Sequence, residues 1–195
     1  MHHDQAIPLQ QPPPAYAELH CLSNFSFLRG ASHPEELIER AHTLGYAALA
    51  LTDECSLAGV VRAHLAARRH AFKLIVGSTF TLTDGARLVL LAPEREAYGD
   101  LSELITHARR TAGKGTYRIT RADVARHAGR CLALWLPGEA PDIDTARWVA
   151  GTFPGRGWIA VESGPAYRRR ACGSAPTGSG ACAAAGGSPD SIPPG

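Results

Sequence analysis

Short apolar runs alternate along the chain with segments whose apolar positions recur every three to four residues. This is the pattern of βα units built around a parallel sheet or barrel. It begins at Tyr16 and predicts roughly six strands. The best-marked helix opens where Ser32 and Glu35 have capping-box spacing and Pro34 lies in the first turn. Its apolar face is Leu37, Ile38, Ala41 and Leu44, and Gly45 ends it. Ala47–Thr52 follows as a strand buried on both faces, then Leu57–His70 as a helix with Leu57, Val60, Val61 and Leu65 inward.

The rhythm breaks once. Lys73–Val76 and Arg87–Leu91 read as strands, and Thr83-Asp84-Gly85 between them has the chemistry of an antiparallel hairpin turn. Beyond Pro93, Glu94–Thr111 carries Tyr98, Leu101, Leu104 and Ile105 at helical spacing. Thr120 and Asp123 predict a capped helix to His127. Cys131–Leu136 reads as a strand, Asp142–Phe153 as a helix and Trp158–Val161 as the last strand. After Glu162 the alternation stops. Gly, Ala, Pro and Ser dominate the rest, which lacks the large apolar side chains a core needs.

The chain therefore divides into a disordered N-terminal arm (1–15), a folded domain (16–162) and a low-complexity, disordered tail (163–195). A natural linker or a frameshifted translation of GC-rich DNA would each give such a tail, and its composition favours the frameshift. A broken reading frame would leave an unstable product with no function of its own.

Composition narrows the classes. At 195 residues there is enough chain for one core. A net charge of +2 gives no general basic footprint for nucleic acid or membrane. Five cysteines, an odd set without a CxxC pair, fit neither a disulfide framework nor a zinc ribbon and suit a reducing cytoplasm. Met1–Pro14 lacks the apolar core of a signal peptide, and no stretch nears the length of a membrane span, so a soluble, cytoplasmic protein is expected.

Candidate chemistry gathers where strands end. Glu18–Ser32 and Leu51–Gly59 each lead from a strand into a helix, the position where barrel enzymes place their ligands. His20, Asp53 and Glu54 are expected to face one pocket, across which Cys21 and Cys55 could approach each other. Plainer readings stand beside this: His20 as a hydrogen-bonded remnant, Asp53 and Glu54 as helix caps, and the cysteines as buried thiols. The basic runs Arg68-Arg69-His70, Arg109-Arg110 and Arg168–Arg170 read as solvated faces. Neither HExxH, nor a Walker loop, nor a GxGxxG after a strand is present.

Two strings carry a resemblance. His20-Cys21-Leu22-Ser23 is similar to the His-x-His-Ser/Thr motif of the PHP (polymerase and histidinol phosphatase) superfamily, and Thr52-Asp53-Glu54-Cys55 to its Thr-Asp-His-Gly motif. The longer wording His20–Ser32, with Leu51–His64, resembles the PHP domain that opens the error-prone branch of bacterial C-family DNA polymerases, over roughly Tyr16–Glu162. The resemblance implies an α/β fold, a distorted PHP-type (β/α)7 barrel that is incomplete here, with about six βα units. It implies the N-terminal domain of a DNA-directed DNA polymerase acting in damage-induced mutagenesis, translesion synthesis and DNA repair. That polymerase's palm, with its Mg2+ ions, and its thumb and fingers lie outside this chain and would be its partners, and DNA would be met through the full-length enzyme.

The departures are chemical. Leu22 stands where the second histidine is expected, Glu54 where a histidine follows the aspartate, and Thr79 where a glutamate is expected after Gly77. Leucine cannot ligate a metal and threonine replaces a carboxylate poorly. A vestigial pocket of His20, Cys21, Asp53 and Glu54 is expected, with no catalytic residue, no metal and no cofactor in this chain. His20, Asp53 and Glu54 are the only candidate ligands for the alternative, a free-standing metal-dependent PHP phosphoesterase or exonuclease with a reduced ligand set.

Overall fold

In a computed structural model of the protein, residues 15–138 and 141–161 are described. The elements are β1 (Ala17–Cys21), α1 (Pro34–Thr43), β2 (Ala48–Leu51), α2 (Val60–Arg69), β3 (Leu74–Thr81), β4 (Arg87–Ala92), α3 (Arg95–Arg110), α4 (Arg121–His127), β5 (Leu132–Leu136), α5 (Ile143–Thr152) and β6 (Gly157–Ile159). Residues 1–14 of the expected N-terminal arm (1–15) and the whole expected 163–195 tail lie outside the described residues.

The six strands form one curled sheet in chain order, a half-barrel, as the strand count anticipates. β1, β2 and β3 pair in parallel, β4 is antiparallel to both β3 and β5, and β6 is again parallel to β5. The antiparallel pair is the hairpin read from Asp84-Gly85, and Gly85 has the positive φ of 87° that such a turn requires.

Alternation along the strands builds two layers. On β4, Leu88 and Leu90 pack with Leu101 and Leu104 of α3, while Val89 and Leu91 join Ala50, Leu134 and Leu136 on the opposite, inner face. On β2, Leu49 and Leu51 pack with Ile38 and Ala41 of α1 and Ala63 and Ala66 of α2. Each fully buried leucine contributes about 1.5–3 kcal/mol.

Two helices differ in detail from their sequence patterns. In α1 the cap is His33, not Ser32: the His33 N–H donates to the Glu36 carboxylate at 2.8 Å, and Leu44 is exposed. In α2 the buried positions are Val60, Ala63, Ala66 and Ala67, whereas Val61 and Leu65 are 68% and 51% exposed. The small alanines permit close packing against α1, so the inward face is the one with the smaller side chains.

Candidate functional site

β1, β2 and β3 are parallel and so end at the same side of the sheet, where the last carbonyl of β1 holds the segment that follows β2. Thr52 donates both N–H (2.8 Å) and Oγ1 (3.1 Å) to the Cys21 carbonyl. A parallel bridge between Glu54 and Thr79 carries the β2–β3 pairing one step further. After β1 the chain turns tightly: Ser26 N–H donates to Ser23 O, and Arg29 and Gly30 N–H to Ser26 O. Gly30 presses on the turn so closely that a Cβ there would lie 2.0 Å from Ser23 O, which excludes any other residue without rearrangement.

Asp53 sits under this turn, only 1% exposed. Its Oδ1 accepts from Ser23 N–H (2.8 Å) and Ser26 Oγ (2.7 Å), and its Oδ2 from Ser23 Oγ (2.7 Å). Three donors from one turn thus satisfy a buried charge, the arrangement such a charge needs. Its backbone carbonyl accepts from Ser78 Oγ (2.7 Å) and Thr79 N–H (3.2 Å), tying the turn to β3. Ser26 Oγ also accepts from Glu54 N–H at 2.9 Å.

Glu54 points to the rim. Its carboxylate is ion-paired with Arg29 and accepts the Tyr117 hydroxyl. Tyr117 Oη in turn accepts from Thr81 N–H at 2.8 Å, and the Arg109 guanidinium lies 5.5 Å over the Tyr117 ring. Burial, and then the bond to Glu54, push the Tyr117 phenol up to about 12. Arg109 donates through Nη2 to the Cys55 carbonyl at 3.1 Å.

His20 lies half-buried in β1, with its backbone N–H donating to Glu18 Oε1 at 2.9 Å. Cys21 and Cys55 are both buried, at 6% and 1% exposure. Burial pushes the Cys55 thiol up to about 11, against the opposing pull of Arg109, and a thiol held protonated is a poor nucleophile. Cys55 has a left-handed backbone, φ 44°, at the position where the PHP motif carries glycine.

The side chains present do not fit a multinuclear metal centre. Both Asp53 oxygens are engaged by the turn, Glu54 is engaged by Arg29 and Tyr117, Thr79 Oγ1 donates to Thr52 O at 2.8 Å, and Leu22 has no donor atom. Among the described residues no three His, Cys, Asp or Glu side chains converge as a metal-holding group. The hydrogen bonds tie the end of β1, the segment after β2 and the interior of β3 to the 23–30 turn. Asp53 and Glu54 were legible from the strand-end motif, and Ser23 and Ser26 lie within the quoted string. Tyr117, 63 residues from Glu54, had no signal in spacing or motif.

Fold and site together define an α/β half-barrel domain with a hydrogen-bonded latch at its strand ends. The chain belongs to the PHP domain family, whose profile matches residues 18–157. The error-prone DNA polymerase of Dechloromonas aromatica is 59% identical over 167 residues, covering 82% of this chain and 16% of the relative. That of Methylococcus capsulatus is 61% identical over 148 residues, covering 75% and 14%. This chain thus spans only 14–16% of the length of these relatives. A Bifidobacterium adolescentis protein described as a metal-dependent phosphoesterase superposes with TM-score 0.60 at 15% identity, covering 82% of each chain. An amidohydrolase from Chromobacterium violaceum superposes with TM-score 0.54 at 18% identity, covering 74% of this chain and 76% of that one. At such identities the likeness is one of fold.

Proposed function

We propose that this chain is the N-terminal PHP domain of an error-prone DNA-directed DNA polymerase and acts in it as a structural module. Its pocket of His20, Cys21, Asp53 and Glu54 is vestigial in this reading. The observation that carries it is the use of Asp53: a carboxylate at a motif position for metal chemistry accepts three hydrogen bonds from a single turn. Identity near 60% to proteins of which the match covers only 14–16% supports a polymerase setting. The rest of that polymerase, its palm, thumb and fingers, is the partner, with Mg2+ in the palm and DNA bound by the whole enzyme. Damage-induced mutagenesis, translesion synthesis and repair in the cytoplasm are the processes it would serve.

The alternative, a free-standing metal-dependent phosphoesterase or exonuclease, draws on the fold shared with the Bifidobacterium protein. One experiment separates the two. Residues 16–162 replace the matching segment of the Dechloromonas polymerase, and primer extension is measured together with Mn2+ titration of the present chain. A chimaera that extends primers, with no saturable Mn2+ binding, is the expected outcome. A chimaera that is soluble but inactive, or tight Mn2+ binding linked to phosphodiester cleavage by this chain, overturns the proposal.

A further inference from the structure

We propose that the rim around Glu54 binds single-stranded DNA, with phosphates held by the segment joining α3 to α4 and bases stacked on the loop after β1. Two stretches far apart in sequence meet at this carboxylate, one through Arg29 and the other through Tyr117.

The α3–α4 stretch is strongly biased. Between Glu103 and Asp123 the chain has five Arg and Lys and no Asp or Glu, against a net charge of only +2 for the whole protein. Arg109, Arg110, Lys114 and Arg118 are exposed. Some exposed arginines elsewhere are paired, Arg62 with Glu35 and Arg130 with Asp100, while Arg40, Arg68, Arg69, Arg95 and Arg126 are exposed without a carboxylate partner among the described residues, so what sets the α3–α4 stretch apart is the absence of acid between Glu103 and Asp123. Among the described residues Arg110, Lys114 and Arg118 have no carboxylate partner, and Arg109 donates to backbone carbonyls, so these charges face solvent uncancelled. Glu54, the acidic group at the centre of the rim, is neutralised by Arg29 and so does not repel a phosphate.

The other arm presents apolar surface on a rigid base. Phe25 is 39% exposed and Phe27 84%, although Ser23 and Ser26 of the same loop are buried on Asp53. An exposed aromatic side chain two residues from Arg29, joined through Glu54 to a cation-bearing stretch around Tyr117, has the composition of single-strand sites, where each base offers a π-face and each linkage a negative charge. A duplex hides its base faces, and an acidic peptide would use the cations but leave Phe27 without a partner. The choice of DNA over RNA rests on the polymerase reading; the surface itself does not.

The test uses the full chain and a labelled oligothymidylate of about twenty nucleotides, followed by fluorescence anisotropy from about 25 to about 200 mM salt. Binding that weakens steeply with salt is expected. The triple variant Arg110→Ser, Lys114→Ser, Arg118→Ser should lower the log–log salt slope by about 2, since each phosphate contact on a single strand contributes about 0.7. Phe27→Ala should weaken binding roughly tenfold with the slope unchanged. Both variants alter exposed positions, and unchanged melting curves verify that they fold. Absence of binding at low salt, an unaltered slope in the triple variant, equal competition by polyglutamate, tighter binding of duplex, or tighter binding of oligouridylate each overturns the inference. Any of these results beside an active chimaera overturns it without touching the polymerase reading.

Discussion

Asp53 is balanced by neutral donors rather than by a cation, so its charge and its geometry are inseparable. Asp53→Asn replaces one accepting oxygen by an NH2 group that faces hydroxyl or N–H donors in a site 1% exposed. The expected loss is about 2–4 kcal/mol, read as a lower urea midpoint at constant slope. Cys55 sets two terms against each other: a left-handed non-glycine costs about 1–2 kcal/mol, and burying its side chain in the core returns a similar amount. Cys55→Gly should therefore stay within about 1 kcal/mol of the parent, whereas the β-branched Cys55→Val should cost more than about 2 kcal/mol in thermal melts. At this scale the sequence exposed the acidic pair through its place after a strand. It could not expose Tyr117 or Arg109, because only the folded sheet brings α3 and the segment after it to Glu54.

Helices whose ends carry explicit polar chemistry were legible, and helices defined by apolar faces were less so. α4 starts where Thr120 Oγ1 accepts from Asp123 N–H, the box read from the two residue types alone. Thr120→Ala should cost about 1 kcal/mol in denaturant melts. In α2 the largest apolar residues mark one face, but the buried face is the one with the smallest. Consequently Leu65→Lys should change stability by less than about 0.5 kcal/mol, while Ala63→Leu should cost about 1–3 kcal/mol by overpacking against α1, as denaturant titrations of the two variants would show.

Over the whole molecule, titration brackets the folded state from both sides. Arg130 holds the Asp100 carboxyl below its ordinary 3.8, as Thr145 does for Asp142; for Asp84 and Asp123 burial pulls upward but hydrogen bonds from Arg121 and Thr120 prevail. A depressed carboxyl stabilises fully above its unfolded value, so this contribution is lost as pH falls below 3.8. Burial raises Cys55 from 9.0 to about 11, Cys131 from 9.0 to about 12 and Tyr117 from 10.0 to about 12. Groups raised in this way stabilise fully below their unfolded values, and that stability is lost as pH climbs from 9.0 toward 12. Thermal midpoints should hold a plateau between about pH 5 and about pH 8 and fall on either side; a midpoint still rising above about pH 9 would contradict the burial of these groups.

The overall α/β rhythm and the hairpin were readable because period and turn residues are local. The curl of the sheet and the meeting of its strand ends are not local. The strand order has a further consequence for how the chain is made. Every strand hydrogen-bonds only to its neighbours in sequence, so each partner has already left the ribosome when the next strand emerges. Such short closures favour rapid, vectorial folding from the N-terminus. A nascent chain arrested after β5 has emerged should already protect β1–β4 from protease, and uniform cleavage of that intermediate would show that folding waits for the later chain.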